Sequence, residues 1–273
     1  MYTVLKDFSA SSLIDAMELN THEAWLCFAH GLGATVHDEP HLLWFFSGLP
    51  FHLANGIVNA RFPENRLEDI LSEHLQQFAT KQVPMAWLVG PSTRPVDLGN
   101  RLQTYGWMPG GEAPGMAIEL QTLNEAFSSP PSLTIERIHD AETLRTWLRV
   151  MTVGSDIPEE GLKLLLELVS RHGFMDNPSV HYYLGVLAGK PVATSLLYLG
   201  AGVAGIYNVA TLPEARHQGI GSALTLAPLL QARTWGYRVG TLQSSPMGLH
   251  LYQRLGFREY CKFHAYFWQG ANE

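Results

Sequence analysis

Residues 205–257 read GIYNVATLPEARHQGIGSALTLAPLLQARTWGYRVGTLQSSPMGLHLYQRLGF, in the order strand, glycine-rich turn, helix, strand, short helix. At the centre lies Arg216-His217-Gln218-Gly219-Ile220-Gly221-Ser222-Ala223, with two glycines where a strand ends and a helix begins. The first turn of a helix leaves backbone N–H groups without intrahelical partners and carries the positive end of the dipole, so it suits an anion. Gly219 and Gly221 lack side chains, which lets a phosphate approach the backbone. The stretch reads as a phosphate cradle; the plainer alternative is a pair of helix-start glycines.

Two common phosphate motifs do not fit. A P-loop needs Gly-x-x-x-x-Gly-Lys-Ser/Thr, and no lysine follows either glycine. The dinucleotide spelling Gly-x-Gly-x-x-Gly does occur, at Gly200-Ala201-Gly202-Val203-Ala204-Gly205. It runs into Ile206-Tyr207-Asn208-Val209-Ala210-Thr211, an apolar β-type run and not a helix. Those glycines read as a join between two antiparallel strands.

Arg216-x-x-Gly219-x-Gly221 resembles the Q/R-x-x-G-x-G/A signature of the GNAT superfamily of acyl-CoA-dependent N-acyltransferases. Leu251-Tyr252-Gln253-Arg254-Leu255-Gly256-Phe257 is similar to the L-Y-x-x-x-G-F segment of that family. Close resemblance covers roughly residues 181–268 and a looser one reaches back to about 132. It implies an α/β fold with a mixed sheet and acetyl-CoA as the cofactor. The turn residues Arg216, His217, Gln218, Gly219, Ile220, Gly221 and Ser222 would grip its pyrophosphate. The strand residues Asn208, Val209, Ala210 and Thr211 would follow the pantetheine arm where the sheet splays. Family members often carry Asn seven residues before the tyrosine; here it is Ser245, which keeps the helix cap and leaves one cofactor contact in doubt.

The implied reaction is transfer of an acetyl group to a primary amine of a small molecule, by direct attack in a ternary complex. Backbone N–H groups near Val209–Ala210 would polarise the thioester oxygen. Tyr252 is the catalytic residue by resemblance. A free phenol titrates near ~10 and a thiol near ~8.5, so full proton transfer to a thiolate is uphill by roughly 2 kcal/mol. Tyr252 is therefore read as a hydrogen-bond donor to the developing thiolate. Asp156, Glu159 and Glu160 lie where the family shapes its acceptor pocket and are candidates for acceptor site or base. Their alternative role is capping and dipole matching at a helix start. The competing function is a non-catalytic acyl-CoA sensor or a partner-docking module.

Composition bounds the partners. The chain has 273 residues, 46% hydrophobic and 16% charged, which describes a buried globular protein long enough for two domains. Its formal net charge of −7 argues against non-specific nucleic-acid binding. Residues 201–273 nevertheless hold more basic than acidic side chains, which suits a polyanionic cofactor. No apolar run is long enough for a bilayer and the start lacks a secretory pattern, so no membrane partner and a cytoplasmic location are expected. A monomer or homodimer is the expectation. Only Cys27 and Cys261 occur, so no disulfide framework is suggested. His37 with His41, and Cys27 with His30, lack the partners of a metal motif, and no metal is expected. Trp25, Trp44, Phe45 and Phe46 read as core of the first half.

Ser128-Ser129-Pro130-Pro131-Ser132 marks the expected boundary, giving domains 1–128 and 129–273. In the second, helices are predicted at 141–151, 162–168 and 219–235, with strands at His181–Leu187, Pro191–Leu199, Val203–Thr211 and Arg238–Gln243, closed by Cys261–Trp268. Asp140 and Ser245 are expected caps, and Pro228 should favour a kink. The first half carries a fainter version of the same order, closed by a strand at Gly115–Leu120. It has no Arg-x-x-Gly-x-Gly, and Leu102 falls where Tyr252 would sit. The chain reads as a tandem protein with a degenerate GNAT-like N-terminal half, or an unrelated α/β cap, and one cofactor site in the C-terminal half.

Overall fold

The computed structural model describes residues 3–172 and 177–269; within the helix at 159–172, the side chains of Glu160, Leu164 and residues 168–172 lie outside that description. In chain order the elements are α1 (Ala10–Gly31), β1 (Thr35–Glu39), β2 (Leu42–Phe46), β3 (Asn55–Val58), α2 (Leu67–Ala79), β4 (Met85–Val89), α3 (Leu98–Thr104) and β5 (Met108–Glu119). They continue with β6 (Leu133–Arg137), α4 (Ala141–Gly154), α5 (Glu159–His172), β7 (Val180–Leu187), β8 (Lys190–Gly200) and β9 (Val203–Thr211). The last are α6 (Ile220–Thr234), β10 (Val239–Gln243), α7 (Leu249–Leu255) and β11 (Arg258–Trp268).

The compact units do not follow the expected halves. One joins Met1–Thr21 to Pro114–Tyr260; the other joins His22–Ala113 to Cys261–Glu273. The reason lies in the closing strands. Residues 115–119 of β5 pair with β10 in the first unit, and residues 264–268 of β11 pair with β4 in the second. Gly115–Leu120 therefore does not close the N-terminal half, nor does Cys261–Trp268 close the C-terminal one. Each strand buries its hydrogen-bonding edge in the unit built mainly from the other half of the sequence.

In the first unit, β6, β7, β8 and β9 are joined as successive antiparallel neighbours. β10 then adds in parallel to β9, and β5 antiparallel to β10. α4 covers one face, where Trp147 donates its indole N–H to the carbonyl of Tyr183 at 3.0 Å. Asp140 caps α4 by accepting the Thr143 N–H at 2.8 Å, as its sequence position requires. α6 covers the other face with Ile220, Leu224 and Leu229 fully buried; each such side chain contributes about 1.5–3 kcal/mol. Pro228 is buried inside α6, which runs unbroken over Ile220–Thr234. α7 ends at Gly256, whose φ of +103° lets the Phe257 N–H reach back to the Tyr252 carbonyl at 3.0 Å.

In the second unit, β1 and β2 form a hairpin, β2 pairs antiparallel with β3, β3 parallel with β4, and β4 antiparallel with β11. Its core gathers Trp44, Ile57, Leu71, Phe78 and Trp87 from strands and α2. Of the four aromatic residues expected in this core, Trp44 and Phe45 are fully buried, whereas Trp25 and Phe46 are only partly so.

Candidate acyl-CoA site

β9 and β10 run together for three rungs only, Ala204–Gly240, Gly205–Thr241 and Ile206–Leu242. β9 then continues to Thr211, paired along its other edge with β8. The two parallel strands thus part after Ile206 and Leu242, and an opening runs along β9 toward the turn that follows it. A bulge lies inside this stretch. Leu196 faces Tyr207 and Thr194 faces Ala210, so two steps on β8 span three on β9. Asn208 takes the extra place at φ +50°, and Thr194 donates its hydroxyl to the Asn208 carbonyl at 3.0 Å. After the bulge, Val209 packs toward the α6 core, while Ala210 meets Gly154 at the end of α4.

The turn tightens in steps. Pro213–Ala215 forms a short 3-10 turn, His217 sits at φ +62° and Gly219 at φ +79° as the N-cap of α6. A Cβ at Gly219 would collide with the carbonyl oxygen of Ser128, so the position requires glycine on two counts. The first described bond into the helix is the Ala223 N–H to the Gly219 carbonyl at 3.1 Å. The N–H groups of Ile220, Gly221 and Ser222 precede it and form the positive end of the dipole. The side chains of Ile220 and Ser222 are buried, which leaves their backbone as the part that could meet a ligand. His217 and Gln218 are exposed. Gly221 has a different reason for being glycine: its Cβ would stand 3.0 Å from Leu251 Cδ1, so it permits close packing of α6 on α7.

Arg216 is a brace. Its Nε donates to the Thr211 carbonyl and its Nη2 to the Gly154 carbonyl, each at 3.1 Å. Ser245 accepts the Gly248 N–H at 3.2 Å, one turn before α7 begins at Leu249. Tyr252 is buried on the α6–α7 side, edge-on to Phe257 with ring centroids 6.0 Å apart. A Cβ at Gly248 would lie 2.7 Å from its ring, so that glycine makes the space the tyrosine fills. Burial pushes the phenol up to about 12, partly offset by a hydrogen bond with the Thr225 hydroxyl.

The acidic candidates separate. Asp156 is exposed at φ +54° in the turn after α4. Glu159 pairs with Lys163 at 3.1 Å, one turn on along the solvent side of α5. The Glu160 side chain lies outside the described residues.

Sequence reasoning missed α1. Leu13, Ala16, Met17 and Asn20 follow helical spacing, which was the available signal. Asn20 is fully buried; it accepts the Tyr207 hydroxyl at 2.7 Å and donates to the Gly200 carbonyl at 2.9 Å. Thr21 accepts from Gln243 Nε2 at 2.8 Å.

The second unit has no equivalent opening among its described residues. Beyond β3 and β4 the chains stay laced: the Arg94 N–H donates to the Ala60 carbonyl at 3.0 Å and the Phe62 N–H to the Arg94 carbonyl at 2.9 Å. Leu102 is packed in its core. Among the described residues no group of three or more His, Cys, Asp or Glu is placed to hold a metal, and no helix is long and apolar enough to cross a membrane.

The sequence profile of the acetyltransferase (GNAT) domain matches residues 178–259. Solved structures extend the likeness in fold. A GCN5-related N-acetyltransferase from Kribbella flavida is similar at TM-score 0.69 and 19% identity, over 91% of this chain and 95% of its own. One from Sphaerobacter thermophilus gives 0.60 at 18% identity, over 80% and 75%. A tandem GNAT protein from the clavulanic acid biosynthesis pathway gives 0.59 at 12% identity, covering 100% of this chain and 98% of its own. No curated protein matches.

Proposed function

We propose that this chain, whose residues 178–259 match the acetyltransferase (GNAT) domain profile, transfers an acetyl group from acetyl-CoA to a primary amine of a small molecule. The observation that carries the reading is the opening between β9 and β10, which leads along the Asn208 bulge to the start of α6. A strand edge released from its neighbour suits an extended chain bearing amides. The helix start beyond it suits a pyrophosphate. The residues present therefore fit acetyl-CoA, which when bound would supply the activated thioester and leave as the CoA thiol.

The roles follow from placement. Backbone N–H groups of Ile220, Gly221 and Ser222 hold the pyrophosphate, and Arg216 keeps the turn in shape by binding Thr211 and Gly154. The backbone from Asn208 to Thr211 orients the pantetheine arm, with Val209 and Ala210 beside the thioester. Tyr252 donates a hydrogen bond where thiolate charge develops. With its pKa pushed up to about 12, handing a proton to a thiolate of ordinary pKa costs roughly 5 kcal/mol, so stabilisation by hydrogen bonding outweighs full transfer. The amine arrives on the α4 side, past Gly154 and Asp156.

Calorimetric titration with acetyl-CoA, followed by thiol release in the presence of an amine panel, tests the proposal. Saturable binding with amine-dependent thiol release is the expected result. Binding without release from any amine would favour an acyl-CoA sensor, and no binding would overturn both.

A further inference from the structure

We propose that Asn20, Thr21, Tyr207 and Gln243 form a stop at the apex of the β9/β10 opening, restricting the donor to short acyl groups. The inference rests on the reading of that opening as the path of pantetheine and thioester.

The last shared rung is Ile206–Leu242. Tyr207 and Gln243 are the next residue on each strand, so they stand where the strands begin to diverge. Both are held by consecutive residues of α1. The Tyr207 hydroxyl donates to Asn20 Oδ1 at 2.7 Å, and Gln243 Nε2 donates to Thr21 Oγ1 at 2.8 Å. The middle of α1 thus spans the apex from β9 to β10, and it does so on the α4 face, where the amine would enter.

The barrier is stiff. Asn20 is 0% exposed and Thr21 2%. The Asn20 amide is committed to the Gly200 carbonyl at 2.9 Å, and the Thr21 hydroxyl donates to the Met17 carbonyl at 2.8 Å. Neither can swing aside without stranding a buried polar group. The Asn20 carboxamide also occupies the place a Cβ would take at Gly205, so the helix approaches the strand as closely as a bare backbone allows. Pantetheine entering from the Gly219 end runs along β9 toward this apex, and a longer acyl tail would be driven against it.

The full-length protein should be titrated calorimetrically with CoA and with acetyl-, propionyl- and butyryl-CoA. The parent is expected to bind CoA and acetyl-CoA alike and butyryl-CoA about tenfold or more weakly, the scale of a misfitted methylene. Asn20→Ala should bring the butyryl and acetyl affinities within about threefold of each other. Gln243→Ala, at a half-buried strand end, should do the same and remains informative if Asn20→Ala does not fold. Equal affinity of the parent for acetyl- and butyryl-CoA would overturn the stop. So would folded variants that bind acetyl-CoA yet keep the parental preference. A parent that binds no CoA species would instead overturn the functional reading beneath it.

Discussion

Arg216 Nη2 holds the carbonyl of Gly154 at 3.1 Å, while Nε of the same guanidinium holds Thr211 at 3.1 Å. One side chain therefore joins the glycine-rich turn, the end of β9 and the C-terminus of α4. The planar fork of arginine suits two diverging acceptors, and its charge complements the carbonyl end of the helix dipole. Arg216→Lys keeps the charge and loses the two-pronged geometry. It is expected to lower stability by about 1–2 kcal/mol and acetyl-CoA affinity by about tenfold, read by urea unfolding and calorimetry. Unchanged affinity would remove the turn's dependence on this brace.

Tyr252→Phe should leave acetyl-CoA affinity within about threefold and slow acyl transfer by roughly 100-fold, the scale of one donor at a developing charge. Because burial pushes the phenol up to about 12, the parent's rate profile should show no inflection from Tyr252 between about pH 6 and 10. Full activity in the phenylalanine variant would strip Tyr252 of its role.

The two glycines of the turn should respond differently. Gly219→Ala faces both a φ of +79° and the Ser128 carbonyl. It is expected to cost about 2–3 kcal/mol in unfolding experiments and to abolish cofactor binding. Gly221→Ala meets only the flexible end of Leu251, at 3.0 Å, and should cost about 1 kcal/mol or less. A larger replacement at Gly221 would press α6 off α7 and so would not report on the cradle alone. Equal losses for the two alanine variants would contradict this division of roles.

Away from the site, Arg137 Nη2 donates to His181 Nδ1 at 2.7 Å, which requires a lone pair there and hence a neutral imidazole. Burial first, and then the Arg137 charge, push His181 down to about 4. The unfolded chain takes up this proton near pH 6.5 and the folded chain only near 4. The unfolded state binds more protons in that window, so stability is present above pH 6.5 and falls as pH drops toward 4. After solvent screening the loss should be on the order of 1–2 kcal/mol. His181→Gln, neutral throughout, should flatten that part of the profile in urea midpoints at pH 7 and 4.5. Parallel profiles for the two proteins would assign the acid sensitivity elsewhere.

Much of the fold is local and therefore legible along the chain. The strand at Val203–Thr211 has the bounds its alternation and flanking glycines suggest, and Asp140 caps the helix it precedes. The turn from Pro213 to Gly221 is a sequence of backbone constraints that few residues satisfy, and glycine and proline announce it. Leu102, standing where the second half has Tyr252, led to the expectation of a degenerate first half, whose chains at Ala60 and Arg94 the structure shows laced by hydrogen bonds.

What depends on distant partners left no such trace. Resemblance implied that Arg216 grips a phosphate, and only folding brings the Gly154 carbonyl to its fork. Gly221, expected in the cradle through its backbone, is also a seat for Leu251. The exchange of β5 and β11 could not be read from either strand, since pairing energy depends on which edge is open and not on which half of the chain supplies the strand. Asn20 carries the same lesson: a polar residue on a helical stripe has no assignable function until the fold supplies its acceptors. The chain by itself determined the turn and the helix start, because local backbone geometry dictates residue type there. Tertiary structure alone decided what borders the opening, because burial and hydrogen bonding across 178 to 222 positions of sequence are set only when the strands pack.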